Sequence, residues 1–405
     1  RLEGARAALA VGDKEAFAKM LDAMPDDYPN GDMTGDGIFM RALEAMERGA
    51  FAEAKTYLGK GNGRGKERAY YRAGRFSYFL GRAAAATGHR DEATAFYQAT
   101  IRDYPLGYYA ALAVVQLEEA APGAGKAALA ATMSGEPSRL PPEIAAASAN
   151  DPAVVAAIAV ARASDPRGLD DLFVGVKQRT ESPERMLFAA RLYAIAGDLR
   201  RAHGVLRTAS ELEARDGRVE LEALRDEAPR GPWRAIWELA YPRLYADEVA
   251  AASAESGVPP ALLYAIMREE SAFAPEAVSR SDARGLFQVI PATGERMARG
   301  LGIRMKAATL FEPGASARIG ARYLSGLRSR FQTAPLLCIP GYNAGPGAPE
   351  AWLKDRPGWD FDLWVERIPY AETRGYTKRV LATLFTYEAL YEPAVAETCR
   401  IPVSL

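Results

Sequence analysis

The chain has 405 residues, 49% of them apolar, which is enough for two or three structural units with buried cores. Its 51 basic and 52 acidic side chains leave a formal net charge of -1, so the chain lacks the broad positive field of nucleic-acid binders, and we expect no nucleic-acid partner. Two cysteines and two histidines are too few for a Cys/His metal cluster or a disulfide framework, and we expect no metal or cofactor. No window holds the ~18 uninterrupted apolar residues of a membrane-spanning helix.

Residues 1 to about 256 predict successive helices, because aliphatic residues recur at three- and four-residue spacing in an Ala-rich background. A glycine stands five residues before an alanine at three places: Gly49 and Ala54, Gly88 and Ala93, and Gly197 and Ala202. A glycine supplies positive φ where one helix ends, and a small alanine lets the next helix pack closely. The pattern predicts tetratricopeptide-like helical hairpins in a degenerate α-superhelical solenoid with irregular spacing. Unrelated hairpins that share Gly and Ala by chance are the alternative.

Two stretches rich in Pro and Gly interrupt this helical pattern. The stretch at residues 122–142 predicts a loop or a break in the solenoid. The stretch at residues 227–232 precedes a change to a composition richer in Gly and aromatic residues. We therefore predict an all-α protein with an α-superhelical domain over residues 1–235 and a compact C-terminal domain over residues 236–405.

Four motifs of the C-terminal domain combine carboxylates with hydroxyl, phenol and carboxamide groups. They are Glu269-Glu270-Ser271, Gly285-Leu286-Phe287-Gln288, Tyr342-Asn343-Ala344-Gly345 and Ile368-Pro369-Tyr370-Ala371-Glu372-Thr373-Arg374-Gly375-Tyr376. The first ends an apolar helical pattern, and the second and third are typical of a Gly-led turn and a loop. Such polar groups hydrogen-bond sugar hydroxyl and acetamido groups, and glycosidic cleavage needs a carboxylic acid of raised pKa. The combination indicates a carbohydrate cleft, although each residue alone is ordinary for a turn or a surface.

Glu270 is the candidate acid of this cleft. Adjacent helical residues point about 100° apart, so Glu269 and Glu270 cannot both face one cleft. We expect Glu269 to be a solvated charge on the helix surface. We expect burial against Ile266, Met267 and Phe273 to raise the pKa of Glu270.

Taken together, the motifs resemble the catalytic domain of the soluble lytic murein transglycosylases over about residues 250–392. The matching segments are Glu270-Ser271, Gly285-Leu286-Phe287-Gln288, Tyr342-Asn343-Ala344-Gly345-Pro346-Gly347 and Glu372-Thr373-Arg374. The resemblance implies a goose-lysozyme-like domain that cleaves the β-1,4 bond between N-acetylmuramic acid and N-acetylglucosamine of peptidoglycan without water. The N-terminal part is similar, more loosely, to the family's α-superhelical region, including a Tyr-Pro-x-x-Tyr-Tyr segment at residues 104–109.

The resemblance also implies roles for individual residues. One glutamate works alone in this family, so Glu270 would protonate the leaving oxygen and then take the proton of the muramoyl C6 hydroxyl, closing a 1,6-anhydro ring. The substrate acetamido group would replace a second protein carboxylate. Positions that match the family's glycan contacts are Ser279, Gln288, Ile290, Tyr342, Asn343 and Glu372.

Two segments depart from the family pattern. Phe287 and Ile290 stand where the family commonly has Met, which predicts a reshaped sugar-contacting wall. Pro340 precedes the third motif where alanines are usual, and it predicts an end or a kink in the preceding helix. We expect Cys338 to be a buried free thiol, with a bond to Cys399 as the alternative.

The implied partner is the peptidoglycan glycan strand. The superhelix is a candidate surface for cell-wall proteins, and we expect a monomer. The chain opens at Arg1 without the apolar region of an export signal, so either no signal exists or it was removed; the cell-wall substrate favours a periplasmic protein whose signal peptide has been removed. A hydrolytic muramidase on the same fold and a non-catalytic peptidoglycan-binding scaffold stay open as alternatives.

Overall fold

The computed structural model describes residues 1–65, 67, 72–141, 151–172, 183–216 and 227–405. The described residues up to 129 form one compact unit, and those from 130 onward form a second. Over the described ranges the regular elements are helices, and β-structure is limited to isolated bridges. The predicted all-α fold class is therefore confirmed. The predicted domain boundary near residue 235 stays a prediction.

Helices of three or four turns make up most of the first unit. They are α1 (Leu2–Ala10), α2 (Lys14–Asp22), α3 (Met24–Asp27), α4 (Thr34–Glu47), α5 (Phe51–Asn62), α6 (Arg75–Ala86), α7 (Arg90–Asp103), α8 (Tyr108–Ala120) and α9 (Ala124–Met133), whose last residues belong to the second unit. Aromatic side chains fill the core of the first unit. Phe39 packs edge-on against Phe76 and Phe79, with ring centroids 5.8 and 5.3 Å apart, in the geometry that aromatic pairs prefer.

The second unit contains the remaining hairpins and the C-terminal domain. Its helices are α10 (Pro152–Arg162), α11 (Pro166–Leu172), α12 (Pro183–Ile195), α13 (Leu199–Asp216), α14 (Trp233–Ala240), α15 (Ala246–Ser256), α16 (Pro260–Ser271), α17 (Pro291–Gly300), α18 (Pro313–Arg330), α19 (Cys338–Ala344), α20 (Gly347–Asp355), α21 (Phe361–Glu366) and α22 (Ala371–Tyr391). Short 3-10 turns lie at Thr309–Phe311, Pro335–Leu337 and Thr398–Arg400.

The predicted hairpin turn occurs at all three places where the sequence repeats. The φ angles of Gly49, Gly88 and Gly197 are 72, 84 and 84°. In each turn the following N–H bonds the carbonyl five residues back, at 2.8, 2.9 and 2.8 Å. The alanines that follow these turns are at most 3% exposed: Ala54, Ala93 and Ala202. These hairpins are therefore confirmed.

Further turns make the hairpin array more even than the sequence pattern indicated. After Gly12, with φ 80°, and after Ser164, with φ 54°, the N–H of the next residue also bonds the carbonyl five residues back. Gly123, with φ 88°, separates α8 from α9. Successive turns thus lie 33–41 residues apart. The sequence pattern missed the turns at Gly12 and Ser164 because Phe17 and Leu169, not alanine, are the buried residues five positions on.

The predicted loop at residues 122–142 is wrong for its first half. Helix α9 occupies Ala124–Met133, and only the segments on either side of it are turns or irregular. Alanines and a leucine fill the middle of the stretch, and these residues favour helix more strongly than the flanking Pro and Gly oppose it. Residue 142 lies outside the described residues.

Helix α16 is the central element of the C-terminal domain. It packs against α22 along one side, while α19 packs against both α22 and α18. Leu262, Leu263 and Ile266 are fully buried, and Tyr264 stacks on Tyr387 with ring centroids 5.2 Å apart. The C-terminal end of α16, which carries the first motif, is thereby fixed next to the motifs on α19 and α22.

Candidate active site

The first motif forms the last turn of α16. Pro259 and Pro260 start this helix, because proline is favoured in the first turn, and Ala272, with φ 49°, ends it in the left-handed region. The Ser271 hydroxyl donates to the Met267 carbonyl at 3.1 Å and lies 2.9 Å from the Leu286 carbonyl. Ser271 thus links the end of the helix to the second motif.

Glu270 is the acid at the centre of the site. The Tyr376 hydroxyl on α22 donates to its Oε1 at 2.6 Å. Burial raises the pKa of Glu270 to about 7; the hydrogen bond from Tyr376 opposes this shift, and the negative charge of Glu269 adds to it. The apolar residues expected to surround it, Ile266 and Phe273, are fully buried. Glu270 can therefore hold a proton near neutral pH and release it.

Glu269 is not a solvated surface charge, and that prediction is wrong. Its side chain is 3% exposed, and it accepts hydrogen bonds from Arg268 at 2.7 Å and from the Thr383 hydroxyl at 2.8 Å. Arg379 lies 3.4 Å and Arg207 3.8 Å from its Oε2. Burial alone would raise the pKa of Glu269, but these guanidinium groups outweigh it and hold the pKa at about 2. The pKa values of the two neighbouring glutamates are thus shifted in opposite directions.

The second motif forms a tight turn beside the acid. Arg284 makes antiparallel bridges to Val278 and Val289, which form a small β element within this turn. The Gln288 carboxamide donates to the Ala277 carbonyl at 3.1 Å and to the Gly285 carbonyl at 2.9 Å. The side-chain nitrogen of Gln288 therefore holds the turn together.

Phe287 occupies the core under this turn. A Cβ atom on Gly320 would lie 2.4 Å from its ring, so only glycine fits beneath the ring. The Phe287 carbonyl accepts a hydrogen bond of 2.7 Å from the Tyr342 hydroxyl. The ring of Phe287 is thus held by Gly320, and its carbonyl is held by Tyr342.

The third motif is helical and not a loop. Helix α19 runs through Tyr342 and Asn343 to Ala344, because Pro340 lies in its first turn, where proline is tolerated, and Gly345, with φ 76°, ends it. Pro340 thus separates α19 from the 3-10 turn before it.

The two polar residues of α19 are anchored within the domain. Burial raises the pKa of the Tyr342 phenol well above its usual value, and the charge of Glu270 adds to the shift. The Tyr342 ring lies 5.2 Å from that of Tyr323. Asn343 Oδ1 accepts a hydrogen bond of 2.6 Å from Thr373 on α22. Tyr342 is therefore a neutral phenol close to the acid.

The remaining predicted contact residues are exposed. The Ser279 hydroxyl accepts from the Ser281 and Ala283 amides at 3.2 and 3.0 Å, and Ile290 is 49% exposed. Glu372 lies in the first turn of α22, one turn before Tyr376, and its charge contributes to the raised pKa of Glu270. The structure thus gathers the motifs around Glu270, while the substrate contacts themselves stay predictions.

Sequence reasoning missed three residues of this site. Tyr376 belongs to the fourth motif but received no role, although it follows Glu372 by four residues and so lies on the same face of α22. Arg207 and Arg379 stand in no motif, and no signal in the sequence pairs them with Glu269.

The cysteines are as expected. Cys338 is a fully buried free thiol, and burial raises its pKa to about 12. Cys399 is likewise a thiol and is not joined to Cys338 by a disulfide bond. In the described part of the chain, no helix combines the length and apolar character needed to cross a membrane.

Comparison with known proteins gives one consistent result. Residues 247–365 match the family model of the transglycosylase SLT domain. The soluble lytic murein transglycosylase of Escherichia coli is 34% identical over 154 residues, covering 37% of this chain and 23% of the relative. That of Salmonella typhimurium is 38% identical over 130 residues, covering 31% and 20%. The matched segments thus span about a quarter or less of the length of these relatives.

Solved structures extend the likeness beyond the matched segment. An inactive mutant of lytic transglycosylase Slt from Pseudomonas aeruginosa has a TM-score of 0.65 at 22% identity, covering 93% of this chain and 55% of that one. The 70 kDa soluble lytic transglycosylase of Escherichia coli has a TM-score of 0.60 at 20% identity, covering 91% and 54%. At this identity the likeness concerns the fold. Together with the sequence matches, it confirms the resemblance to the soluble lytic murein transglycosylase family, whose transglycosylase SLT domain residues 247–365 match.

Proposed function

We propose that this protein is a peptidoglycan lytic transglycosylase in which Glu270 is the single acid and base. The observation that carries the proposal is the raised pKa of Glu270, which is about 7. Glu270 lies in the last turn of α16, within the segment that matches the SLT domain. Its neighbour Glu269 is ionised and paired with arginines. An acid that can give up and take back one proton near neutral pH suits a reaction that needs both steps.

The proposed reaction has two steps. Glu270 donates its proton to the glycosidic oxygen as the bond from C1 of N-acetylmuramic acid to that oxygen breaks, while the acetamido oxygen of the same sugar bonds to C1. The Glu270 carboxylate then takes the proton of the C6 hydroxyl, whose oxygen attacks C1 and releases the acetamido oxygen. The product is a 1,6-anhydro ring, water is not consumed, and Glu270 ends protonated as it began.

The surrounding residues support this use of one acid. The Tyr376 hydroxyl holds one oxygen of Glu270 at 2.6 Å and so fixes the direction in which the other can act. Tyr342 is a neutral phenol close to Glu270 and is suited to orient the acetamido group. We propose substrate contacts for Ser279, Gln288, Ile290, Asn343 and Glu372, which lie in the motifs around the acid.

Product analysis tests this function. Purified peptidoglycan sacculi are incubated with the protein, and the released muropeptides are identified by mass spectrometry. We expect 1,6-anhydromuropeptides. Reducing-end muropeptides, heavier by one water, would instead identify a hydrolytic muramidase, and binding without release would identify a scaffold.

The proposed function also implies a cellular location and partners. A peptidoglycan substrate places the protein in the periplasm, and the described helical hairpins offer it surfaces for cell-wall protein partners. We propose a periplasmic monomer that acts on glycan strands.

We expect the rate to fall as pH rises through about 7, because Glu270 must be protonated to act as the acid. Tyr376→Phe removes a hydrogen bond that lowers the pKa of Glu270. The loss of rate at high pH should therefore move to higher pH in this variant, as measured by the pH profile of anhydromuropeptide release. Tyr342→Phe is the matched control, because its hydroxyl bonds the Phe287 carbonyl and not the acid. An unchanged profile for Tyr376→Phe would contradict this assignment.

Glu372→Gln should weaken activity only modestly and leave the anhydro product unchanged, because we assign Glu372 to glycan binding. A base or nucleophile at this position would have to lie ~5–9.5 Å from the acid across the sugar ring, and its loss would match that of Glu270. The measurement is the release rate together with product identity. A folded Glu372→Gln variant as slow as Glu270→Gln would show that a second carboxylate takes part.

A further inference from the structure

Helix α13 of the hairpin array contacts the last turn of α16, residues 268–271, which carries Glu270 and is called the acid-bearing turn. His203 and Arg207 are four residues apart on this helix and therefore lie on one face. The Arg207 guanidinium donates to the carbonyl of Arg268 and lies 3.8 Å from the carboxylate of Glu269. Arg207 thus binds a backbone carbonyl and a side chain of the two residues that immediately precede Glu270.

His203 joins the same contact one turn earlier. Its Nδ1 lies 2.9 Å from the Ala240 carbonyl, and its ring meets the Phe273 ring edge-on with centroids 5.1 Å apart. The Arg268 guanidinium approaches the same Ala240 carbonyl at 3.3 Å. Helix α13 therefore holds the acid-bearing turn through side chains on both sides of Glu270 in the sequence.

Two separate sets of contacts fix this turn. On one side are the Tyr376 hydroxyl at Glu270 and the bond between Ser271 and the Leu286 carbonyl. On the other side is Arg207. The Arg268 carbonyl accepts the N–H of Ala272 at 3.2 Å and a second hydrogen bond from the Arg207 guanidinium, whose positive charge at the C-terminal end of α16 also favours the helix dipole. The bond from Arg207 to the Arg268 carbonyl fixes the backbone just before Glu270 and thereby influences the position of the Glu270 carboxyl group.

We propose that Arg207 is a positioning residue for the catalytic acid, acting through the last turn of α16. The proposal rests on the function proposed above and adds to it that α13, outside the matched SLT segment, contributes to the active site. A misplacement of about 1 Å in a catalytic group can cost up to about 100-fold in rate, so a side chain that never touches substrate can still govern turnover.

The test compares Arg207→Met with Arg200→Met. Arg200 is on the same helix and pairs with Glu276 at 3.2 Å, but both side chains are exposed, so its loss should leave activity and structure near wild type. Arg207→Met should lower kcat by about 10- to 100-fold while KM changes little, because the acid is displaced and glycan contacts remain. Arg207→Lys should recover part of kcat, since lysine keeps the charge at Glu269 but lacks the forked donor.

Hydrogen exchange provides a readout that does not depend on activity. In a peptide spanning residues 264–273, amide exchange should be faster in Arg207→Met than in wild type or Arg200→Met, with exchange elsewhere unchanged. Equal kcat and equal local exchange in all three proteins would overturn the proposal while leaving the proposed function intact. If the wild type releases no product, the proposed function fails, and the exchange comparison alone decides the role of Arg207. If Arg207→Met does not fold, the same two measurements on Arg207→Lys decide it.

Discussion

Glu270→Gln should abolish most of the glycan cleavage, with a loss of at least about 100-fold in turnover, the lower range for losing general acid–base catalysis. Glutamine keeps the shape of the side chain and can still accept the Tyr376 hydrogen bond, but it has no proton to transfer. The measurement is the rate of anhydromuropeptide release from sacculi. Binding of the variant to sacculi should survive, because no glycan contact is removed.

Stability distinguishes this effect from damage to the fold. The folded state raises the pKa of Glu270 from 4.5 to about 7, so the folded protein binds more protons than the unfolded chain between these values and loses stability as pH rises through them. Glutamine does not ionise, and the variant should be at least as stable as wild type above pH 7. A destabilised Glu270→Gln variant would attribute the lost rate to damage to the fold, and a variant that cleaves at the wild-type rate would show that Glu270 is not the acid.

Glu269→Gln should lower the free energy of unfolding by about 3–5 kcal/mol, the range for removing one partner of a buried ion pair. The substitution leaves Arg268 and Arg207, which are 9% and 17% exposed, without their carboxylate. The measurement is the free energy of unfolding from denaturant titration. Acid should have the same effect on wild type: the pKa of Glu269 lies at about 2 instead of 4.5, so its contribution is complete above 4.5 and is lost as pH falls toward 2.

Glu255→Gln is the matched control for this experiment. Glu255 pairs with Arg318 through two bonds of 2.7 and 2.8 Å, but both side chains are more than a third exposed, and such a pair contributes about 1 kcal/mol or less. Similar losses of stability in the two variants would mean that the contacts of Glu269 are no more important than those of a surface ion pair.

Local signals in the sequence were sufficient for the helices and for most of the motifs. Periodicity gives the helices, and a glycine before a buried alanine marks hairpin turns, because both depend on neighbours along the chain. Ser164 shows the limit of that signal, since a serine takes the left-handed conformation there. Tyr342 and Asn343 were misplaced in a loop because the density of glycine around them outweighed the first-turn proline in the pattern.

Contacts between distant segments could not be predicted. Adjacent carboxylates differ by about 100° in direction, which separates Glu269 from Glu270, but this angle does not say which face is covered. Glu269 is buried because α13 and α22 both reach it with arginines, and the pairing depends on how three helices pack. The same holds for Tyr376, whose bond to Glu270 joins α22 to α16.

The contact of Phe287 with Gly320 has a consequence for sequence divergence. No Cβ atom fits between the Phe287 ring and the backbone of α18, so the size of the side chain at one position limits the size of the side chain at the other. A methionine in place of the ring is narrower and flexible, and it leaves room for alanine at the other position. Relatives should therefore exchange both residues as a pair, and an engineered change of Phe287 to a smaller side chain will leave a cavity in the core unless Gly320 is changed as well.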